Sequence, residues 1–245
     1  MKYLLLFFSV VLFAYEAKVE PVHTYHIKAA VNGIVIKSAK NFEGKNISDK
    51  LIIRLDDNLE KSELENIENQ IEILKKQIKN QIEIVKRKKA LYEKYKQLKS
   101  KSIEQKDMKF FDYISAKNQL LNLQNQLNSL YTQQDKIKDI LDKKNIRFSG
   151  YLYSVNVEKG DYVNIGRELA LGYDISKQKL DIYVPIEKID EIKNKKIYIN
   201  GKKSNFKISK IWNVTDTKYI TSYKVELIGN GLKFGEVVKI DFKKE

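Results

Sequence analysis

Two stretches of this chain follow the same pattern of glycine and apolar residues, and a long segment separates them. In each stretch apolar residues stand three, nine and eleven positions after an inner glycine. The segment between them, residues 57–145, contains neither glycine nor proline, the residues that most strongly interrupt a helix. We therefore predict one β unit that is formed by two separate segments of the chain, with a helical insertion between them. The first copy comprises Gly33, Ile34, Val35, Glu43, Gly44, Ile47, Ile53 and Leu55, and the second comprises Gly150, Tyr151, Leu152, Lys159, Gly160, Val163, Leu169 and Leu171.

The N-terminus has the features of an export signal. Met1 and Lys2 precede an apolar run over residues 3–14, and polar sequence begins at Glu16. This run fits the roughly 7 to 15 residues of a secretory h-region and is shorter than the roughly 20 residues of a membrane span. We predict a signal peptide over residues 1–14, cleaved after Ala14, with retention of the segment as an anchor as the open alternative.

Several chemistries have little support in the sequence. The 245 residues include no cysteine, which excludes thiol chemistry, and only two histidines, His23 and His26, which lack a partner cluster. No nucleophile elbow, zinc-protease motif or phosphate loop is present. We therefore predict no catalytic residue, no metal site and no enzyme activity.

The net charge of +14 raises the possibility of nucleic-acid binding, because clustered lysines neutralise phosphates. The lysines are nevertheless spread over the whole chain, and no predicted domain concentrates them. A lysine-rich composition is the simpler explanation, and no nucleic acid is expected as a partner. An exported coiled-coil protein that binds nucleic acid or cell-envelope polymers remains the alternative.

The central segment carries two heptad series in each half, as in an antiparallel coiled-coil hairpin. Gln81 and Lys88 interrupt the first seam, and we expect Ile82 and Leu91 to shift it locally. Ser102, followed by Gln105, predicts a helix N-terminus after a turn at residues 100–102. The first helix contributes Leu64, Ile71, Ile78, Val85, Tyr92, Ile67, Leu74, Gln81, Lys88 and Tyr95, and the second contributes Tyr113, Leu120, Leu127, Gln134, Leu141, Ala116, Leu123, Leu130 and Ile137.

The C-terminal segment, residues 176–245, predicts a small antiparallel β-barrel with one short helix. Alternating apolar and polar residues, bounded by glycine-containing turns, are typical of short strands. The domains expected along the chain are residues 1–14, 15–56, 57–146, 147–175 and 176–245. The strands are expected at residues 179–184, 196–200, 205–212, 219–227 and 237–242, and the helix at residues 186–193.

In this order of segments the chain resembles the membrane fusion proteins, or periplasmic adaptor proteins, of the HlyD and RND-efflux type. The resemblance rests on the halves at residues 30–45 and 149–166, on the inserted hairpin, and on residues 180–189 as the opening of the barrel. It implies an α+β fold with a split biotinyl-lipoyl-like β domain, an inserted antiparallel helical hairpin and a small antiparallel β-barrel. The chain departs from the family in three respects. Lys50 stands where the second copy has Gly166, and the hairpin tip lacks the arginine, leucine and serine spacing of many efflux adaptors. Little sequence is left after the barrel.

The resemblance also implies a role and a location. Such adaptors are exported to the periplasm, associate peripherally with the inner membrane and form homo-oligomers. They link an inner-membrane transporter to a TolC-like outer-membrane channel in a multidrug efflux pump. An RND transporter is the expected partner here, with an ABC exporter of a type I secretion system as the alternative. No cofactor is expected, because the hairpin occupies the turn at which lipoyl carrier domains present their modified lysine.

Two groups of residues are the candidate functional positions. The hairpin tip is locally basic and is expected to contact the channel, with three apolar side chains as anchors. All five glycines are expected at turns, and Gly44, Gly160 and Gly166 are expected to need a positive φ there. The tip residues are Tyr95, Leu98, Lys99, Lys101, Ser102, Ile103 and Lys106, and the turn glycines are Gly33, Gly44, Gly150, Gly160 and Gly166.

Overall fold

The computed structural model describes residues 14–244, so the predicted signal peptide lies outside the described residues except for Ala14. Among residues 14–244, no helix is both long and apolar enough to cross a membrane. The elements are β1 (Tyr15–Lys18), β2 (Glu20–Lys28), β3 (Gly33–Ser38), a 3₁₀ helix (Lys40–Phe42), β4 (Lys45–Leu55), α1 (Asn58–Gln97), α2 (Ile103–Lys143), β5 (Asn145–Val155), β6 (Tyr162–Val163), β7 (Glu168–Pro185), a second 3₁₀ helix (Ile186–Lys188), α3 (Ile189–Ile192), β8 (Lys196–Ile199), β9 (Lys202–Lys203), β10 (Lys207–Thr215), β11 (Ser222–Gly229) and β12 (Val237–Lys243).

The predicted helical hairpin is present, and its two helices have 40 and 41 residues. At a rise of about 1.5 Å per residue, each helix is roughly 60 Å long. The side chains that are fully buried between the helices all lie on the two predicted heptad seams. The expected local shift of the seam is wrong, because Ile82 and Leu91 are exposed and Gln81 keeps its seam position. The fully buried set is Ile67, Ile71, Leu74, Gln81, Ala116 and Ile137.

The two repeated stretches fold together into one β module. β4 of the first copy pairs antiparallel with β5 of the second, from Lys45 opposite Leu152 to Arg54 opposite Asn145. β3 pairs with β6, and β5 pairs with the first part of β7. The hairpin leaves this module between β4 and β5. The core of the module contains Ala29, Val35, Ile52, Ile53, Leu55, Phe148, Leu152, Val155, Val157, Val163, Leu169 and Ala170.

The two copies differ where Lys50 stands in place of a glycine. In the second copy the chain turns between β6 and β7, with Gly166 at φ +86°. In the first copy β4 continues through the equivalent position with an irregular register between Ile47 and Lys50. Asp49 takes the positive φ of +46° there, and its backbone N–H donates to Ser149 Oγ at 2.8 Å. A bulge therefore replaces the turn in the first copy.

A second β module follows, and its core is separate from the first. The second half of β7 pairs with β11, which pairs with β10, while β1, β12, β8 and β9 form a four-stranded sheet. Because β7 is one strand of 18 residues, the expected boundary between residues 175 and 176 falls inside it. The expected helix is a 3₁₀ turn followed by the four-residue α3. The core contains Ala17, Val19, Leu180, Ile182, Val184, Ile189, Ile192, Ile197, Ile199, Phe206, Val225, Leu227, Val238 and Ile240.

Candidate functional site: the hairpin tip and its root

The hairpin turns in five residues, between Gln97 and Ile103. The backbone N–H of Leu98 donates to the carbonyl of Tyr95 at 3.2 Å and closes the last turn of α1. Ser102 caps α2, since its Oγ accepts a hydrogen bond from the backbone N–H of Gln105 at 3.2 Å. This is the cap expected from the sequence, and it satisfies one of the free N–H groups of the first helical turn.

Lysines surround Tyr95 at the tip. The Nζ of Lys101 lies 5.4 Å from the centre of the Tyr95 ring, and the Nζ of Lys109 lies 6.0 Å from it. Both distances are within the range of cation–π attraction. Lys99 is exposed, while Lys101 and Lys106 are half-buried. The tip therefore presents ammonium groups close to one aromatic ring, with Glu104 and Asp107 as the nearby acids in the sequence.

The three expected apolar anchors do not share one environment. Ile103 is 78% exposed in the first turn of α2, whereas Tyr95 and Leu98 are half-buried against the turn. Ser102 is exposed, but its hydroxyl is already engaged as the helix cap. The structure brings the predicted tip residues together at one end of the hairpin. Ile103 is the anchor among them that offers an uncovered apolar side chain.

An aromatic cluster below the tip was missed in the sequence. The ring centres of Tyr92 and Phe110 are 5.3 Å apart, and the rings of Tyr92 and Tyr113 stack at 6.3 Å with an interplanar angle of 5°. Phe110 also contacts Phe111, which is 67% exposed. The adjacent pair Phe110 and Phe111 just after the turn was the available signal, because two neighbouring helical residues cannot both lie in a narrow seam.

A group of charged residues fixes the root of the hairpin. Asp57, which is buried just before α1, accepts hydrogen bonds from Arg54 Nη2 at 3.1 and 3.0 Å and lies 3.1 Å from Lys61 Nζ. On the other helix end, Lys144 pairs with Glu60 and donates from Nζ to the carbonyl of Asp56 at 2.7 Å. The backbone N–H of Leu55, the last residue of β4, also donates to the carbonyl of Lys144 at 2.9 Å, so both helix ends are fixed to β4.

Opposing effects act on the pKa of Asp57. Burial raises the pKa, because it disfavours the charged carboxylate. The hydrogen bonds and positive charges of Lys61 and Arg54 outweigh burial and hold the pKa below its usual range. The carboxylate is therefore ionised at neutral pH and binds both cations.

The five glycines occupy two kinds of position. Gly44, Gly160 and Gly166 have φ values of +73°, +100° and +86°. Gly33 begins β3 and Gly150 lies within β5, so the expectation of a turn is wrong for these two. Gly150 still has a φ of +132°, and a Cβ there would approach the carbonyl oxygen of Tyr173 to 2.9 Å. A side chain at that position would strain the pairing of β5 with β7.

The histidines have local partners. The Nδ1 of His26 lies 2.9 Å from Glu168 Oε2, and the ring of His23 packs edge-on against Tyr25 at 4.5 Å. Within the described part of the chain, no group of three or more histidine, aspartate or glutamate residues could hold a metal ion.

Solved structures with similar folds exist, although no protein-family model matches the chain and no curated protein matches its sequence. MacA from Actinobacillus actinomycetemcomitans superposes with a TM-score of 0.77 at 16% identity, over 94% of this chain and 78% of that one. The membrane fusion protein Spr0693 from Streptococcus pneumoniae R6 gives 0.65 at 12% identity, over 95% and 99%.

A chimera of MacA that contains the α-hairpin domain of Pseudomonas aeruginosa MexA gives a TM-score of 0.63 at 16% identity, over 95% of this chain and 82% of that one. The matches extend over both β modules and the hairpin, since each covers nearly the whole chain. The chain therefore has the fold of a membrane fusion protein, and the fold class expected from the sequence is confirmed.

Proposed function

We propose that this protein is a periplasmic adaptor, without catalytic activity, that links an inner-membrane transporter to a TolC-like outer-membrane channel in a multidrug efflux pump. The observation that carries the proposal is the position of the hairpin. A stalk roughly 60 Å long leaves the β module between β4 and β5, and charged contacts hold its root. A rigid stalk on a compact module suits a protein that spans a distance between two partners.

The tip is the part of the stalk that meets the channel in this proposal. Its lysines are complementary to an acidic rim, and such complementarity mainly governs the rate of encounter and the choice of partner. Ile103 supplies an uncovered apolar contact beside these charges. An RND transporter is the inner-membrane partner that we propose, and copies of the chain assemble around it. An ABC exporter is the alternative, and dependence of efflux on the proton gradient or on ATP distinguishes the two.

Charge reversal at the tip tests the proposal. The triple variant Lys99→Glu, Lys101→Glu, Lys106→Glu is expected to abolish efflux while export and helix content stay unchanged, because none of the three belongs to the heptad series assigned to the seam and none is fully buried. The measurement is the drug susceptibility of cells that express the variant as their only copy. A matched control reverses three exposed lysines midway along α1, Lys76, Lys79 and Lys86, and gives the same change in net charge.

Two results would contradict this assignment. If the tip variant protected cells as well as the parent protein, the basic tip would have no part in channel contact. If both triple variants abolished efflux equally, net charge would matter and the position of the tip would not. Binding of nucleic acid that falls steeply with salt would favour the alternative of a basic polymer-binding protein.

A further inference from the structure

A cleft of about 590 Å³ lies where the two β modules meet. Tyr151, Tyr153 and Tyr173 line it, together with Phe234 from the segment between β11 and β12. Lys18 and Lys179 also line it. Its volume and its aromatic lining with a few charged groups are typical of a site for a small molecule. The hairpin tip and its root contribute no residue to it.

The tyrosine side of the cleft is built from two paired strands. Tyr151 and Tyr153 lie on β5 and both line the cleft, on either side of Leu152, and Tyr151 is opposite Tyr173 of β7. The ring centres of Tyr153 and Tyr173 are 5.3 Å apart. Tyr153 is 56% exposed and belongs to neither apolar core. Aromatic faces presented in this way can stack with a flat apolar ligand.

The segment that carries Phe234 is held in place by hydrogen bonds. The side chain of Gln178 is buried, accepts a hydrogen bond from the backbone N–H of Leu232 at 2.9 Å and donates another to the carbonyl of Leu232. The backbone N–H of Gly235 donates to the carbonyl of Val19 at 2.9 Å. These bonds lie on both sides of Phe234 in the sequence. The cleft is therefore formed before a ligand arrives, which lowers the entropic cost of binding.

The charges around the cleft favour an anion. Lys179 lies 3.8 Å from Glu20 and 3.7 Å from Asp181, so its charge is shared with two carboxylates. Lys18 is exposed and forms no ion pair with any residue in the described range 14–244. Glu20 is the one acidic residue in the lining. The lining therefore has a net charge of +1, from two lysines and one glutamate, and it also contains aromatic rings.

We propose that this cleft binds a flat aromatic molecule that carries a single carboxylate or sulfonate group. The ring system stacks against Tyr153 and Tyr173, and the anionic group approaches the ammonium of Lys18. Aromatic faces also attract organic cations, but a cation in this cleft would be repelled by Lys18. Binding of this kind takes place on the isolated chain, so the proposal does not rest on the adaptor function.

Isothermal titration calorimetry of the purified protein with 2-naphthalenesulfonate tests the proposal. We expect one saturable site with a Kd of about 1 mM or below, given the affinity that ligands of this size reach per atom. Tyr153→Ala and Lys18→Glu are each expected to weaken binding about tenfold, through loss of stacking and of charge attraction. The matched cation, 2-naphthyltrimethylammonium, should bind at least about tenfold more weakly.

Two control variants separate the cleft from other exposed apolar surface. Tyr162→Ala removes a tyrosine that is 57% exposed on the same β module but outside the cleft. Lys239→Glu reverses an exposed lysine on β12, the strand that pairs with β1. Both should bind the sulfonate like the parent protein. The proposal is overturned if the sulfonate shows no saturable binding, if Tyr153→Ala binds it unchanged, or if the cation binds more tightly than the sulfonate.

Discussion

Gln81 is a buried polar residue in an otherwise apolar seam, and its replacement gives a sharp test of how the hairpin is stabilised. The side chain is 5% exposed, and its Nε2 donates a hydrogen bond to the carbonyl of Ala116 at 2.8 Å across the seam. Ala116 lies within α2, where its carbonyl also accepts the hydrogen bond of the helix from residue 120. Removal of the Gln81 amide therefore leaves no unsatisfied acceptor.

The balance of two free-energy terms gives the expected effect. Full burial of a leucine side chain stabilises by about 1.5–3 kcal/mol relative to exposure. The hydrogen bond that Gln81→Leu removes contributes about 0.5–1.5 kcal/mol net. Gln81→Leu is therefore expected to raise the free energy of unfolding of the hairpin by about 1 kcal/mol. Gln81→Ala loses the bond and the packing together, so we expect it to lower that free energy by about 1–2 kcal/mol.

Circular dichroism at 222 nm measures the effect, because α1 and α2 contribute most of the helical signal. For a unit of 60–100 residues, 1 kcal/mol moves the melting temperature by about 4–8 °C. Gln77→Leu, at an exposed position beside the seam one turn earlier, is the matched control and should leave the transition within about 0.5 kcal/mol of the parent. If Gln81→Leu were as destabilising as Gln81→Ala, the reasoning that apolar burial outweighs this hydrogen bond would be refuted.

Two further predictions concern the seam and the root. Because Leu123 and Leu127 lie half-buried on the seam, their joint replacement by alanine should lower the stability of the hairpin by about 2–5 kcal/mol. Asn125→Ala, on the exposed face, should leave that stability unchanged. Equal effects of the two changes in thermal melts would show that the assigned register is wrong. The pKa of Asp57 is lowered in the folded state. The ionised carboxylate therefore stabilises the fold at pH values above the unfolded pKa of about 3.9, and this stabilisation is lost as the pH falls through the pKa of the folded state. Asp57→Asn should therefore destabilise the protein at pH 7 and progressively less below about pH 4. Asp107→Asn on the exposed tip serves as the control. If the stability difference between Asp57→Asn and the parent protein did not change with pH, the ionic role of Asp57 would be contradicted.

The helical part of the fold could be predicted from the sequence because its determinants are local. The heptad spacing placed Ile67, Ile71 and Leu74 in the seam, and Ser102 marked the start of α2. Each of these signals depends on residues within one or two helical turns. The shift expected at Ile82 was wrong, because the Gln81 amide finds a partner on α2 and the helix does not need to rotate to bury an apolar residue instead.

The remaining features depend on contacts between residues that are far apart in sequence. β1 pairs with β12 at the opposite end of the chain. The cleft between the modules brings Lys18, Tyr153 and Phe234 together. The tight approach at Gly150 comes from the carbonyl of Tyr173. The repeated pattern indicated that the two halves of the first β module meet, but it gave no information about these other contacts, so the sequence offered no sign of the cleft.

The root of the hairpin decides whether a contact at the tip can affect the β module. A helix pair that joined the module through flexible linkers would swing freely, and the position of its tip would say little about the module. Here a single residue, Lys144, separates α2 from β5, and it is bound to both Glu60 and the carbonyl of Asp56. Asp57 at the start of α1 holds Arg54 of β4. Because both helices are fixed where they join the module, the sheet sets the direction of the stalk. A partner that binds the tip therefore does not need to orient the stalk relative to the module.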